Sequence, residues 1–484
     1  MKFTFKNLGP INNASLELGD LTIIAGLNNT GKSYIAYAIY GFLQDFAERK
    51  RQGLPNWLND GYLSARASAS GNNIIELLLD GLPVFIPTTT DDLNSDKINL
   101  VKQFSSAFSH LKLDDLFNDN TDSFEDTTVD VLAHTEHLPY KSRSFSLRSG
   151  QTFSFTHGTN MLRIVLEQRE IIDNDASKLN DYTLVRTWLN YMYLQFLLQH
   201  DFLRAFEVRC FTSVRPAISL FYKELESSRR ATIRQFQQDD ETMVDSQGKV
   251  WIPAERISKT SRYVLPINDE IDFVKSVPDD DHSPKDHGGL KELRQIEKML
   301  KGHYEKHKDE FYFIPSNKEM RRPRIPLHLA SSSVAELSNL YFHFRNPNGR
   351  YDQLLIIDEP ESHLDTANQI QLARLLARLV NSGVKVLITT HSDYIVKEIN
   401  NLIMLSNDFD NKDQVVKEFD YHENYFLHPK RVKAYTAENG TLTPCMPDEF
   451  GVKMDVFDET INSINRASTK IATRIFMSQE ENEG

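Results

Sequence analysis

The chain has little cysteine: Cys210 and Cys445 are the 2 thiols in 484 residues, far apart and without metal-type spacing. That excludes a disulfide scaffold and a C-x-x-C zinc hook, and suits a reducing compartment. It has no apolar run of the ~18 residues that a membrane span requires. Its first residues, MKFTFKNLGPINN, lack a continuous apolar region and a cleavage pattern, so no secretory signal and a cytoplasmic location are expected. Basic residues are in deficit, with Lys+Arg 55 against Asp+Glu 68, a net charge of −13. A surface of that sign does not coat nucleic acid nonspecifically, although it leaves room for a local basic groove. What is present is ordinary for a globular protein: 40% hydrophobic and 25% charged residues. At roughly 150 residues per domain, the length suggests about three domains, or one large domain with insertions. No internal repeat is visible.

The first fifty residues are strongly patterned. Phe3 and Phe5 alternate with polar residues as in a strand, and Leu16 and Leu18 repeat this after a Gly9-Pro10 turn. Leu21 to Ala25 suits a buried strand, Gly26 to Gly31 a loop, and Lys32 to about Phe46 a helix with one apolar face. Further on, Val84–Ile86 reads as half of a hairpin turning at Asp80-Gly81. Residues 88–96 read as loop, and Phe145/Leu147 with Phe153/Phe155 as a second hairpin around Ser149-Gly150. From about Met161 to Gln238 the pattern predicts helices, arranged as an arm, and 290–310 a further helix. The last third returns to strand–helix alternation: Leu354–Ile357, a helix Ala367–Val380 stopped at Gly383, and Val384–Ile388. An Asn439-Gly440 hairpin and a disordered tail over 476–484 complete the chain.

Three strand ends carry chemistry. Gly26–Ser33, GLNNTGKS, fits G-x-x-x-x-G-K-S between a buried strand and a helix. Its glycines let the backbone turn its N–H groups on phosphate. Lys32 reaches the β/γ-phosphates and Ser33 supplies a hydroxyl to Mg²⁺. Asn28, Asn29 and Thr30 belong to the same cradle. Leu354–Glu361, LLIIDEPE, delivers Asp358 to the metal side and Glu359 beside it, where a carboxylate polarises an attacking water. Leu387–Ser392, LITTHS, brings His391 to a third strand end as a γ-phosphate sensor. Elsewhere the bland reading prevails. HSPKDH at 282–287 is a solvated linker rather than a metal cluster. Lys318, Arg321, Arg322 and Arg324 are a basic loop. Trp188, Tyr191, Tyr193 and Phe196 are packing residues.

Together these motifs resemble an ABC-type ATPase head of the SMC/RecF/OLD lineage, with a phosphate loop near one end and a DEP motif near the other. The resemblance implies an α/β fold: a P-loop sheet flanked by helices, an antiparallel N-terminal β-subdomain and a helical insertion. The expected boundaries are 1–160, 161–309 for the insertion, 310–475, and a tail at 476–484. It implies ATP and Mg²⁺ as cofactors, with Ser33 and Asp358 on the metal and Glu359 and His391 as catalytic groups. LASSSVAEL at Leu329–Leu337 stands where the family's signature segment belongs, so Ser331 and Ser332 are expected on the nucleotide of a partner copy. Ser333 stands where relatives often have Gly. Asp365, in the segment after the acidic pair, is expected at the same shared site. IPAER at Ile252–Arg256 matches a short element of related prokaryotic ATPases. No Q-loop glutamine is assigned.

The motif set also resembles stand-alone antiphage-defence ATPases such as those of Septu (PtuA), PARIS (AriA) and retron systems. It implies an even-numbered self-assembly controlling a separately encoded nuclease or toxin, with no built-in nuclease. Only 84 residues follow Asn400, and Asp408 and Asp410 lack the preceding Gly-Glu element of a Toprim site. Two alternatives stay open: a RecF/SMC-like DNA-handling ATPase, and a nucleotide-locked scaffold with little turnover.

Overall fold

The computed structural model describes residues 1–52, 78, 83–111, 113–118, 123–132, 142–146, 151–158, 161–168, 189, 192–193, 196–197, 207–238, 243–244, 250–251, 263–280, 291–317, 324–345, 353–454 and 463–474. They fall into two compact units. One is Met1–Thr4, Ile39–Leu113 and Thr128–Val208; the other is Phe5–Ala38, Asp114–Thr127 and Arg209–Gly484.

The second unit is organised around a six-stranded sheet. Its elements, in chain order, are β1 (Leu21–Ala25), α1 (Lys32–Gln52, which runs on into the other unit), β2 (Glu207–Phe211, which belongs to this unit from Arg209) and α2 (Arg215–Gln238). There follow α3 (Ser332–Arg345), β3 (Gln353–Asp358), α4 (Thr366–Asn381), β4 (Lys385–Thr390), α5 (Asp393–Met404), β5 (Val432–Glu438) and β6 (Thr441–Cys445). The strand order is β6-β5-β1-β4-β3-β2. Strands β3, β4, β1 and β5 are parallel, and β6 closes one edge antiparallel to β5 through the Asn439-Gly440 turn. Helices cover parallel strands on both faces, which explains why β1 is apolar at four of its five positions and buried throughout.

Local sequence sets the ends of these elements. Asp365 caps α4 by accepting from Asn368 N (2.9 Å). At the other end Gly383 has φ +98°; its N–H bonds Val380 O and that of Val384 bonds Leu379 O, the paired bonds of a Schellman stop. That turn feeds the chain directly into β4. The register then pairs Asp358 with Thr389 and Thr390 with Ala25, so the carboxyl ends of β3, β4 and β1 lie in line.

The first unit contains a four-stranded antiparallel sheet in the order Val84–Pro87, Met161–Gln168, Gln151–His157, Arg143–Ser146. Phe153, Phe155, Leu162, Ile164 and Leu166 alternate onto its buried face, where Phe155 stacks on Phe196 at 5.6 Å. Tyr193 is also buried there and donates to Asp96 Oδ2 (2.8 Å), so these two aromatics are packing residues.

Four expectations need correction. Met161–Gln168 is a strand, not a helix, because its apolar residues recur every second position. Residues 88–96 are not all loop, because a helix begins at Thr90: Thr89 and Asp92 cap it reciprocally, Asp92 N to Thr89 Oγ1 (3.2 Å) and Thr89 N to Asp92 Oδ2 (2.8 Å). The helix expected over 290–310 ends at Leu300, and Gly302–His307 pairs with Glu310–Pro315 as a hairpin. The projecting arm is not seen among the described residues after Phe211. Ile218, Tyr222, Ile271, Phe273, Leu293 and Ile296 pack into the same core as the β1, β3 and β4 side chains, and Glu207–Phe211 fills the sheet edge beside β3. The hairpin turn at Asp80-Gly81, Ile252–Arg256, the 282–287 segment, Lys318, Arg321, Arg322, Trp188, Tyr191 and the 476–484 tail lie outside the described residues.

Candidate nucleotide-hydrolysis site

The site lies within the second unit. Its loop, between β1 and α1, is shaped by backbone. Gly26 has φ +156° and Gly31 φ +88°; a Cβ on Gly26 would stand 2.4 Å from Ala437 O, and one on Gly31 2.7 Å from Ile11. Only glycine fits either position. Asn29 takes the left-handed conformation at φ +62° between them, and Asn28 is exposed beside it. Thr30 Oγ1 donates to Leu27 O (2.9 Å). Lys32 is buried, and its ammonium donates to Gly26 O (3.0 Å) and Leu27 O (2.8 Å), inside the loop. Burial lowers its pKa, against the pull of Glu359, Asp358 and Glu361.

The facing edge is built from side chains. Asp358 is fully buried at the end of β3. Its Oδ1 accepts from Ser33 Oγ (3.0 Å) and Thr389 Oγ1, and its Oδ2 from Tyr37 OH (2.9 Å). Burial and the neighbouring Asp358 raise the Tyr37 phenol well above its ordinary value, so it stays a donor. Ser33 and Asp358, 325 positions apart, thus present a hydroxyl and a carboxylate side by side. Hard divalent cations take all-oxygen sets of this kind, so the pair fits Mg²⁺.

Glu359 follows with a left-handed backbone, φ +49°, held by its N–H to Thr389 O (3.1 Å) and Thr389 Oγ1 (3.0 Å). Its carboxylate is partly exposed, with Oε1 3.9 Å from His391 Nδ1. His391 stands just past β4, 43% exposed, and its Nδ1 lies 3.3 Å from Glu361 Oε1. Glu361 is buried and accepts from His391 N (2.7 Å) and Thr390 Oγ1 (2.8 Å). Burial raises its pKa, and those hydrogen bonds oppose the rise.

The structure therefore brings Lys32, Ser33, Asp358, Glu359 and His391 to one sheet edge. Ser331 and Ser332 are elsewhere: exposed at the start of α3, Ser331 Oγ accepting from Val334 N (3.4 Å). Ser333 donates at the surface to His363 O (2.7 Å), so the departure from Gly has a local use. Asp365 is occupied in capping α4, with Asn368 Nδ2 also on its Oδ2 (2.8 Å).

Four residues of this site escaped the sequence reading: Tyr37, Thr389, Glu361 and Arg215. Tyr37 lies one helical turn after Ser33, and Thr389 stands in the strand-end run before His391, so both had a spacing signal. Arg215 had none. It is buried at the start of α2 and donates to Asp358 O (2.7 Å), Glu359 O (2.9 Å) and Thr212 O (2.7 Å).

A parallel sheet with a glycine-shaped phosphate loop on one strand and an Asp-Glu pair on the next strand but one defines a P-loop ATPase fold. The chain belongs to the AAA ATPase domain family, whose model matches residues 1–396. Among solved structures it is similar to the Smc head domain with an extended coiled coil bound to the C-terminal domain of ScpA, derived from Pyrococcus furiosus. That match has 12% identity and a TM-score of 0.31, covering 96% of this chain and 98% of the other. It is also similar to the SMC head domain from Thermotoga maritima, at 12% identity and a TM-score of 0.28, covering 92% of this chain and 98% of the other. No curated protein matches it. Among the described residues no helix is long and apolar enough to cross a membrane.

Proposed function

We propose that the chain binds ATP with Mg²⁺ and hydrolyses it, and that the alternation between nucleotide states controls a separate effector in prokaryotic antiphage defence. The observation carrying the hydrolytic reading is the placement of Glu359. It extends from a buried strand end next to the Ser33–Asp358 pair, with His391 beside it. Bound Mg²⁺ would neutralise charge on the phosphates, held by Ser33 and Asp358. Lys32 and the loop N–H groups bind and orient the phosphates. Glu359 accepts the proton of the attacking water, and Glu361 orients the His391 ring through Nδ1.

Exposed Ser331 and Ser332 at a helix N-terminus suit contact with phosphate on a second copy, which supports an even-numbered assembly. Asp365 would act there from its capped position. The defence role rests on the motif resemblance to stand-alone defence ATPases. Purified protein carrying Glu359→Gln should bind ATP, fail to turn it over and accumulate as a nucleotide-bound dimer by light scattering. A variant that hydrolyses ATP at the wild-type rate would remove Glu359 from the reaction. Tight, salt-sensitive duplex binding by the wild type would favour the DNA-handling alternative instead.

A further inference from the structure

We propose that Arg215 is a positioning residue that couples the signature helix α3 to the catalytic carboxylate Glu359, an inference that rests on the ATPase reading above. Three observations meet at its guanidinium. One nitrogen donates to Thr212 O and Asp358 O (2.7 Å each) and another to Glu359 O (2.9 Å). The second of these also pairs with Glu336 Oε1. Glu336 is on α3, one turn beyond Ser332, and fully buried. Arg215 thus touches the backbone of both acidic residues and the helix that presents the signature serines.

The backbone it holds is the unusual part. Glu359 sits at φ +49°, a conformation that costs a non-glycine residue free energy and needs surrounding contacts to persist. Thr389 fixes the peptide before it and Arg215 the peptide after it. Together they decide where the carboxylate points. Further contacts stiffen the link to α3. Ser338 Oγ donates to Ser219 Oγ (3.0 Å), Ser219 Oγ to Asn339 Oδ1 (2.6 Å), and Asn339 Nδ2 to Glu270 Oε1 (2.8 Å). Glu270 in turn accepts from Thr212 N (3.0 Å) and Thr212 Oγ1 (2.7 Å), next to Arg215. A displacement of α3 on engaging a nucleotide cannot be absorbed between α3 and α2, so it reaches the Glu359 peptide through Arg215. Apolar residues of similar volume usually stabilise an interior as well as a buried ion pair does, so stability alone is a weak reason for this one.

The test uses the full chain with Arg215→Gln, Arg215→Lys, Glu336→Gln and the Gln/Gln double variant. Turnover, KM for ATP and affinity for a fluorescent ATP analogue are measured at about pH 9, where Glu336 is ionised and Glu336→Gln removes its charge, with circular dichroism and melting to establish folding. Folded variants should keep KM and nucleotide affinity within about threefold. Their kcat should fall about 10²-fold, the loss that a ~1 Å misplacement of a reacting group brings. The double variant should lose no more than the worse single one, because both act through one link. Arg215→Lys should fail to rescue, since an ammonium lacks the planar fork. Unchanged kcat in folded Arg215→Gln, losses that simply add, or an effect confined to KM would overturn the proposal. Should the Arg215 variants not fold, the isosteric Glu336→Gln decides alone, and wild-type kcat there overturns it. No turnover by the wild type would overturn the ATPase reading itself. Turnover by the wild type with unaffected variants would overturn only the coupling.

Discussion

The two sides of the nucleotide site are built differently. The phosphate loop, Gly26–Ser33, is a local object: its shape comes from backbone dihedrals and its lysine is tied to carbonyls five and six residues back. The carboxylate edge is a non-local one. Asp358 is held by Ser33 and Tyr37 of α1 and by Thr389 of β4, and its carbonyl by Arg215 of α2, from three separate elements. On the proposed reading, the loop should bind whether or not the opposite edge is in order, and the edge should supply chemistry only when several elements agree. Damage to the loop should therefore appear in affinity, and damage to the edge in turnover.

The sharpest test of that division is Glu359→Gln. We expect kcat to fall by about 10²–10⁴, the range for removing a general base, with nucleotide affinity retained. Loss of affinity in step with kcat would break the comparison. Lys32→Ala attacks the other side and should cost about 10²–10³ in kcat/KM, with nucleotide binding lost by calorimetry. Gly26→Ala should cost about 1–3 kcal/mol from left-handed strain alone. The clash with Ala437 O should add to that and weaken ATP binding, read by melting with and without nucleotide.

The last expected effect, confined to stability, is a pH dependence. Burial pushes Glu336 from 4.5 up to about 8, against the pull of Arg215. Its folded pKa is raised, so its contribution to stability is fully present below about 4.5 and lost as pH rises through about 8. Glu336→Gln should match the wild-type melting temperature near pH 5 and exceed it increasingly towards pH 8.5. A variant that melts lower at pH 8.5 would show that the buried pair stabilises the fold.

Much of the site was legible because its motifs are contiguous. Gly26–Ser33, Asp358-Glu359 and His391 each sit at a strand end recognisable from its own apolar run. The Gly383 stop and the Asn439-Gly440 turn were equally readable, since positive φ is demanded locally. The misreadings have physical causes. Thr89 and Asp92 looked like loop residues because capping residues are also turn residues. Leu162, Ile164 and Leu166 were read as helix because Leu and Glu favour helices, while their alternation obeyed the antiparallel sheet they join. Arg215 gave no local signal because its partners are 143 and 144 residues away.

By itself the amino-acid order determined which backbone could wrap a phosphate, which strands would be buried on both faces and which residue types stood at their ends. Those properties depend on neighbours a few positions apart. Tertiary structure alone decided that β2 lies beside β3, that Asp358 and Ser33 meet, and that Arg215 links Glu359 to Glu336. Sheet order and burial produce such meetings, and no short stretch of sequence contains them. Among the described residues of the stretch first read as an arm, Ile218 and Tyr222 of α2 made the same transition, because they found burial in the core of the ATPase sheet.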